Sequence, residues 1–394
     1  MSLTSQSPGE RPDPEWVAAC AFSAVPGVGA STLVRIAREL CGLAGALQAG
    51  PAEILKRGDE LGLKPEARAY LAHAPDLRAL GEWVAEAVRK AGARVLLPRD
   101  VEYPKALRAI RSPPQVLYVR GEIPAEARRV AVVGSRDTDE TGMDLARDFG
   151  DALARTGVEV VSGGARGIDT GAHEGALWAQ GRSIAVLGSG IDVAYPAENR
   201  ALFERLANGG GAVLTELPPG AQPVSRNFPR RNRIVAGLSE AVVVVRAAAQ
   251  SGALITARQA TAEGKPVFAV PGDPGRRSEG SNSLLHTEQA RAAVSAAEVL
   301  RAMGWPVPAE PQRDDATRFG VPASNGLAGE DPDRAVIDET GVKLWQLLDG
   351  RTPTHVDDLA LRAQIPAREA LGKLAELELK GMAVRRPGKY FLRR

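Results

Sequence analysis

The chain has 394 residues, 44% of them hydrophobic, and sets 50 lysines and arginines against 48 aspartates and glutamates. That length predicts more than one domain, and a formal net charge of +2 leaves affinity for polyanions to local clustering alone. Two cysteines, Cys20 and Cys41, exclude a disulfide framework and lack a metal-ligand spacing, and no apolar run is long enough to span a bilayer.

The first fifteen residues, MSLTSQSPGERPDPE, are polar and show no basic-then-apolar signal pattern, so a cytosolic protein without a membrane partner is expected. Residues 1–75 read as a domain of short helices. Within it VPGVGAST (25–32) has the glycine-punctuated form of a helix-hairpin-helix turn, whose main-chain amides can hold a nucleic-acid backbone; a plain turn between helices reads the same way. Residues 76–128 form a bridging segment with enough β-prone positions to extend or cap a following sheet.

From 129 to 303, β-rich runs alternate with alanine-rich amphipathic stretches: VAVVG (130–134), VEVVSGG (158–164), SIAVLGSG (183–190), AVLTE (212–216), AVVVV (241–245) and PVFAVPG (266–272). Such apolar runs between helices predict an α/β fold with a mostly parallel, doubly wound sheet. The loops that follow the strands are rich in Gly, Ser and Arg, and they are expected to converge outside the carboxyl ends of the strands, where open parallel sheets bind ligands. Residues 304–333 have the Pro, Ala, Gly, Asp and Ser composition of a linker. Residues 334–394 then show three helical periods and a Pro-Gly turn between two short β-prone runs, the order of a winged helix. Six basic residues and no acid lie between Lys380 and Arg394, so the wing should be positive around Arg385, Arg386 and Lys389, but the helix over 367–380 mixes Glu369, Glu376 and Glu378 with Arg368, Lys373 and Lys380. Protein contact and groove reading are both open to this unit.

Chemistry concentrates at residues 225–233, SRNFPRRNR, where Arg226, Arg230, Arg231 and Arg233 surround Phe228 without an acid. Arginine forks suit phosphate oxygens and one aromatic offers a base a stacking face, so this reads as a single-strand groove; a solvated basic turn is the plainer alternative. Ser135 and Arg136 close the first core strand without the three-glycine dinucleotide pattern. In SGGARGIDTGAH (162–173), Gly163 and Gly164 permit close backbone approach, Arg166 adds charge and Asp169 fits a helix cap. Asn232 continues the arginine cluster, and Ser251 with Gly252 precedes a helix at which amides and a hydroxyl can clasp a phosphate or serve as an ordinary cap. His173 has no ligand or base partner at a useful spacing and reads as a packed structural histidine. Asp192, Glu198, Asp169 and Glu216 form no acid–base pair of defined spacing, and a Walker lysine motif is absent. No cofactor, metal or catalytic residue is predicted.

Taken in order, GSR (134–136), SGGARGIDTGAH (162–173), AVLGSGIDVAYPAEN (185–199), TELPPG (215–220), NFPRRNRIVAGLS (227–239), SGALITA (251–257) and VPGDP (270–274) resemble the DprA/Smf family of DNA-processing proteins. The first 75 residues are similar to the family's helical SAM-like domain and LAELELKGMAVRRPGKYF to its winged helix. The resemblance implies an extended Rossmann-like core that binds single-stranded DNA, a homodimer, delivery of the RecA recombinase onto incoming strands during natural transformation, and dealings with single-strand binding protein. It assigns the strand to Ser135, Arg136, Gly163, Gly164, Arg166, Phe228, Arg231, Asn232 and Arg233; the residues alone add Arg230, Ser251 and Gly252. Two departures are visible. Gly164 stands where a leucine is more usual, a change expected to matter little, and LLHTEQAR follows Gly280-Ser281-Asn282 where the family usually shows an apolar pair and then Gly-Ala. The same fold also resembles nucleotide-processing phosphoribohydrolases, but their PGGxGTxxE loop is replaced here by PGDPGRRSEG from Pro271.

Overall fold

The computed structural model describes residues 13–73, 76–307, 339–348, 354–379, 382–386 and 390–393. The chain divides into two compact units, Met1–Gln312 and Arg313–Arg394.

Unit one opens with five helices, α1 (Pro14–Ala24), α2 (Ala30–Glu39), α3 (Gly42–Lys56), α4 (Pro65–His73) and α5 (Leu77–Lys90). A sheet follows in the order β1 (Arg94–Leu96), β2 (Leu117–Gly121), β6 (Gly211–Thr215), β5 (Ser183–Val186), β4 (Glu159–Ser162), β3 (Arg129–Val133), β7 (Ala241–Val244), β8 (Val267–Ala269) and β9 (Arg291–Ala292). From β6 to β9 every pairing is parallel, whereas β1 and β2 add an antiparallel edge from the bridging segment. The chain steps outward from β3 to β6 and returns to the other side of β3 with β7, so the doubly wound, Rossmann-like sheet expected from the sequence has its switch point between β3 and β7.

The apolar runs form strands because both faces are covered. Ala131, Val133, Val242 and Val244 point into one core, while Val130, Val132, Val243 and Val245 point into the opposite one. The covering helices of this core are α6 (Lys105–Arg108), α7 (Glu140–Arg155), α8 (Ile168–Trp178), α9 (Arg200–Arg205), α10 (Asn227–Leu238), α11 (Ala253–Ala262), α12 (Glu279–His286) and α13 (Ala296–Ala302). The N-terminal helices share a core with the sheet: Phe22, Ile36 and Val84 cluster with Tyr118, Leu187 and Val213, and the Ser23 hydroxyl lies 2.6 Å from that of Tyr118. They are therefore packed onto the β2–β6–β5 end rather than standing apart from it.

Unit two contains α14 (Glu339–Leu347), α15 (Val356–Ala363) and α16 (Ala367–Leu379), with a sheet ordered β10 (Thr354–His355), β12 (Tyr390–Arg393), β11 (Ala383–Arg386). Leu344, Leu359, Leu374, Leu377 and Phe391 fill its core, which is a winged helix. Arg385 and Arg386 lie on β11, while Lys389 falls outside the described residues.

The departure after Asn282 has a backbone consequence. The apolar pair is present as Leu284 and Leu285, but Glu288 occupies the left-handed position just past α12 (φ 56°), where helices favour glycine, and its amide donates to Leu285 O at 3.1 Å. Glu288→Gly should raise stability by about 0.5 to 1 kcal/mol by relieving that conformation. Denaturant unfolding measures this, and no gain would mean that the side chain of Glu288 contributes as much as its backbone costs.

Candidate nucleic-acid interface

The arginine cluster is helical, not the loop expected from its composition. Asn227 starts α10, and Pro229 falls in the first turn, where its missing amide costs no intrahelical bond. Helical spacing then sorts the side chains. Arg231, Ile234, Val235 and Leu238 face inward and are buried, whereas Arg226 and Arg230 are exposed.

Arg231 is only 5% exposed. One of its guanidinium nitrogens donates to the carbonyls of Gly163 and Val186, and its Nε donates to Asn232 Oδ1 at 3.3 Å. Burial lowers its pKa to about 10, opposed by the nearby carboxylate of Asp169, so it stays charged at neutral pH. Burial in turn raises the pKa of Asp169, and Arg231 and the loop amides resist that rise. The Asp169 carboxylate accepts the amides of Gly163 at 3.1 Å and Ala165 at 3.3 Å, while the helix cap expected at Asp169 is Gly167 instead. Arg231 is thus a buried anchor, and the glycine loop spends the Gly163 amide on its own acid. Gly163 is required there because a Cβ would lie 2.6 Å from both Arg231 and Asp169. Gly164 adopts φ +67°, gives its carbonyl to Asn199 Nδ2 at 3.0 Å, and would set a Cβ 2.7 Å from the Phe203 ring. A leucine at 164 is therefore not neutral for this backbone.

Other predicted residues are likewise engaged inside the protein. The Ser135 amide donates to Arg246 O at 2.7 Å and its hydroxyl to Asp137 O at 2.7 Å. Arg233 is ion-paired with Glu216, and both are largely buried. Arg166 is forked with Glu198, with Nη2 at 3.0 Å from one carboxylate oxygen. The Ser251 hydroxyl accepts the amide of Ala253 at 3.3 Å, just before the Gly252 cap of α11, and Asn232 Nδ2 donates to Gly252 O at 3.0 Å, drawing that loop to α10. The amides of Ser135, Gly163 and Ala165 are thus spent on internal hydrogen bonds.

What faces outward is a cleft built on Phe228. Its ring is half-buried and seated on Gly188, where a Cβ would come within 2.8 Å of it. The Arg136 guanidinium lies 4.9 Å above the ring centroid, and Tyr195, itself 43% exposed, tilts against it at 5.5 Å. Arg136, Arg226 and Arg230 make no ion pair with any acid among the described residues. The structure therefore brings together Arg136, Phe228, Arg231 and Gly163, ties Asn232 to Gly252, and leaves Arg166 and Arg233 neutralised by acids. Tyr195 was missed by sequence reasoning; an aromatic before a proline in the strand-end segment AVLGSGIDVAYPAEN was the available signal.

At the switch point itself Arg246 donates both hydrogen bonds of one nitrogen to Asp139, each at 2.7 Å, and Arg277 reaches the same carboxylate at 3.3 Å. Side chains thus occupy the place where dinucleotide folds hold pyrophosphate. Among the described residues no cluster of His, Cys, Asp or Glu could hold a metal ion, and no helix is long and apolar enough to cross a membrane.

The chain thus presents a Rossmann-like sheet whose carboxyl edge carries an exposed arginine over a pair of aromatics. The family model for DNA recombination-mediator protein A matches residues 94–304, and that for the DprA winged helix domain matches residues 329–389. The chain belongs to the DNA recombination-mediator protein A family, the DprA/Smf proteins. It is 40% identical to protein Smf of Escherichia coli over 298 residues, 75% of this chain and 76% of that one. It is 34% identical to a putative DNA processing protein DprA of Mycobacterium tuberculosis over 385 residues, 91% of this chain and 92% of that one. The X-ray structure of DprA from Streptococcus pneumoniae superposes with a TM-score of 0.60 at 29% identity, covering 74% of this chain and 98% of that one.

His173 supplies a test of the buried network beneath the cleft. It is fully buried with Nδ1 2.7 Å from the Ser183 hydroxyl, and burial, with Arg231 nearby, pushes its pKa down to about 3. The unfolded chain takes up a proton near pH ~6.5 that the folded chain refuses, so stability falls as pH drops from there, by about 1.4 kcal/mol per unit. His173→Gln should remove that one-proton slope from urea unfolding measured between pH ~4 and ~6.5. An unaltered slope would show that the histidine charges within the folded protein.

Proposed function

We propose that the Phe228 cleft binds single-stranded DNA, and that the chain, as a homodimer, protects incoming strands and loads the RecA recombinase onto them during natural transformation and homologous recombination, including strands covered by single-strand binding protein. The observation that carries this reading is the exposed Arg136 guanidinium over a half-buried Phe228 with an exposed Tyr195 against it, on an edge that also carries the exposed, unpaired Arg226 and Arg230. Aromatic faces accept splayed bases of any identity and arginines follow the phosphates, which favours single strands over duplex with slight sequence preference. Family membership supports the same class of ligand. The reading needs no nucleotide hydrolysis and no metal, because binding and hand-over of a strand require neither.

The burial pattern decides which arginines should matter. Arg230→Ala and Arg226→Ala should each reduce the slope of log affinity against log salt by about 0.7, the value for one phosphate on a single strand. Arg233→Ala should change stability more than slope, since its charge is already met by Glu216. Phe228→Ala should cost about 1 to 3 kcal/mol of binding. Anisotropy titrations of oligo-dT at several salt concentrations measure all four; a slope unchanged by Arg230→Ala together with full affinity in Phe228→Ala would remove the cleft as the strand site. Equal affinity for blunt duplex would remove the single-strand preference. RecA filament assembly on coated strands, with and without the chain, tests the loading role, and sedimentation at micromolar concentration tests the dimer.

A further inference from the structure

Among the groups set against the Phe228 ring, Arg136 is the one least tied to its place. Gly188 meets the ring with its backbone, and Arg231, 6.0 Å from the centroid, is buried and held by the carbonyls of Gly163 and Val186. Tyr195 tilts against the ring beside Pro196. The Arg136 guanidinium, 4.9 Å over the centroid, is exposed and makes no ion pair or hydrogen bond among the described residues. Its backbone is fixed at the end of β3, because the Ser135 amide donates to Arg246 O at 2.7 Å and the Ser135 carbonyl accepts the Ile168 amide at 3.2 Å. Cation–π attraction therefore keeps the guanidinium on the ring, and rotation of the side chain alone can take it off.

Charge works against that resting position. Burial lowers the pKa of Arg231, the Asp169 carboxylate counters this, and the positive charge of Arg136 lowers it further. Asp169 is already engaged by the amides of Gly163 and Ala165. Two guanidinia near one ring repel each other, and a phosphate outside the cleft is a stronger partner for Arg136 than the ring is. An exposed cation–π contact shifts an equilibrium only about two- to five-fold, whereas a base stacked on an aromatic is worth about 5- to 150-fold. A base can thus take the place of the guanidinium.

We infer that Arg136 is a cover on the base platform: in the free chain its guanidinium occupies the Phe228 ring, and an arriving strand exchanges it for a base while the guanidinium moves to that strand's phosphate. Stacking and phosphate capture are then one coupled step. This rests on the single-strand reading of the cleft and adds to it a cost that Arg136 imposes on base entry.

The test titrates oligo-dT into the full-length chain, Arg136→Ala, Phe228→Ala and the double variant across a range of salt, each protein first checked for the parent's thermal midpoint. Arg136→Ala should lower the salt slope by about 0.7 and bind more weakly than the parent at low salt. As salt approaches about 1 M, where counterion release no longer contributes, it should bind about two- to five-fold more tightly than the parent. In the Phe228→Ala background the slope should fall in the same way and the gain should be absent. The Nε proton of Arg136, assigned by its loss in Arg136→Ala, should resonate upfield in the free chain through the ring current of Phe228 and move downfield when oligo-dT saturates the cleft. Weaker binding by Arg136→Ala at every salt concentration would overturn the exchange, because the guanidinium would then cost base entry nothing. So would an Nε proton that stays upfield in the saturated complex. Weakened binding by Phe228→Ala without either sign of exchange keeps the strand site and removes the cover, whereas a parent chain that fails to bind oligo-dT at low salt removes both.

Discussion

A guanidinium buried beneath a loop is tolerated only when its donors find partners, and Arg231 meets that condition with the carbonyls of Gly163 and Val186 and Asn232 Oδ1, with the carboxylate of Asp169 nearby. Those carbonyls belong to the ends of β4 and β5, so one side chain fastens α10 across two strands. Phe228 stands three residues earlier on the same helix and Asn232 one residue later, which sets the ring over Gly188 and the amide on Gly252. The cleft therefore has its shape because an arginine is withheld from solvent. Its neighbours Arg230 and Arg226 are left to solvent by the same helical period.

The distribution of acids gives the site its selectivity for side-chain contacts over backbone ones. Glu198 and Glu216 each take an arginine that composition alone would credit to the ligand, Asp169 takes the amides of Gly163 and Ala165, and Asp139 takes Arg246 at the switch point. Ser135, Gly163 and Ser251 spend their polar groups internally. Arginines spaced along a helix and around an aromatic suit a ligand with repeated phosphates and exposed bases.

Much of the fold was legible because buried strands announce themselves. Val130–Val133 and Ala241–Val245 admit no amphipathic reading, and the glycine-rich loops after them mark the carboxyl edge. The helix at 227–238 was not legible. Its first turn contains Pro229 and no apolar stripe until Ile234, so local composition spoke for a loop and only tertiary packing of Arg231 makes it a helix. Pairings such as Arg233 with Glu216 and Arg166 with Glu198 join residues 17 and 32 positions apart, a separation at which charge patterning along the chain carries no signal. The short edge strand at Arg291–Ala292 was also silent, with both residues exposed and no apolar run.

The same packing bears on the alternative of a nucleotide-cleaving enzyme. In that chemistry the loop after the strand corresponding to β8 must open a glycine-rich cradle toward ribose and present a glutamate. Here Asn282 clamps Gly272 from both sides, accepting its amide at 3.0 Å and donating to its carbonyl at 2.9 Å. The first amides of α12, those of Gly280 and Ser281, turn to Ala247 O at 2.8 and 3.2 Å. A loop closed on itself in this way, beside a switch point occupied by Arg246 and Asp139, presents side chains rather than a cavity. The loop thus steadies the sheet edge on which Arg136 is carried.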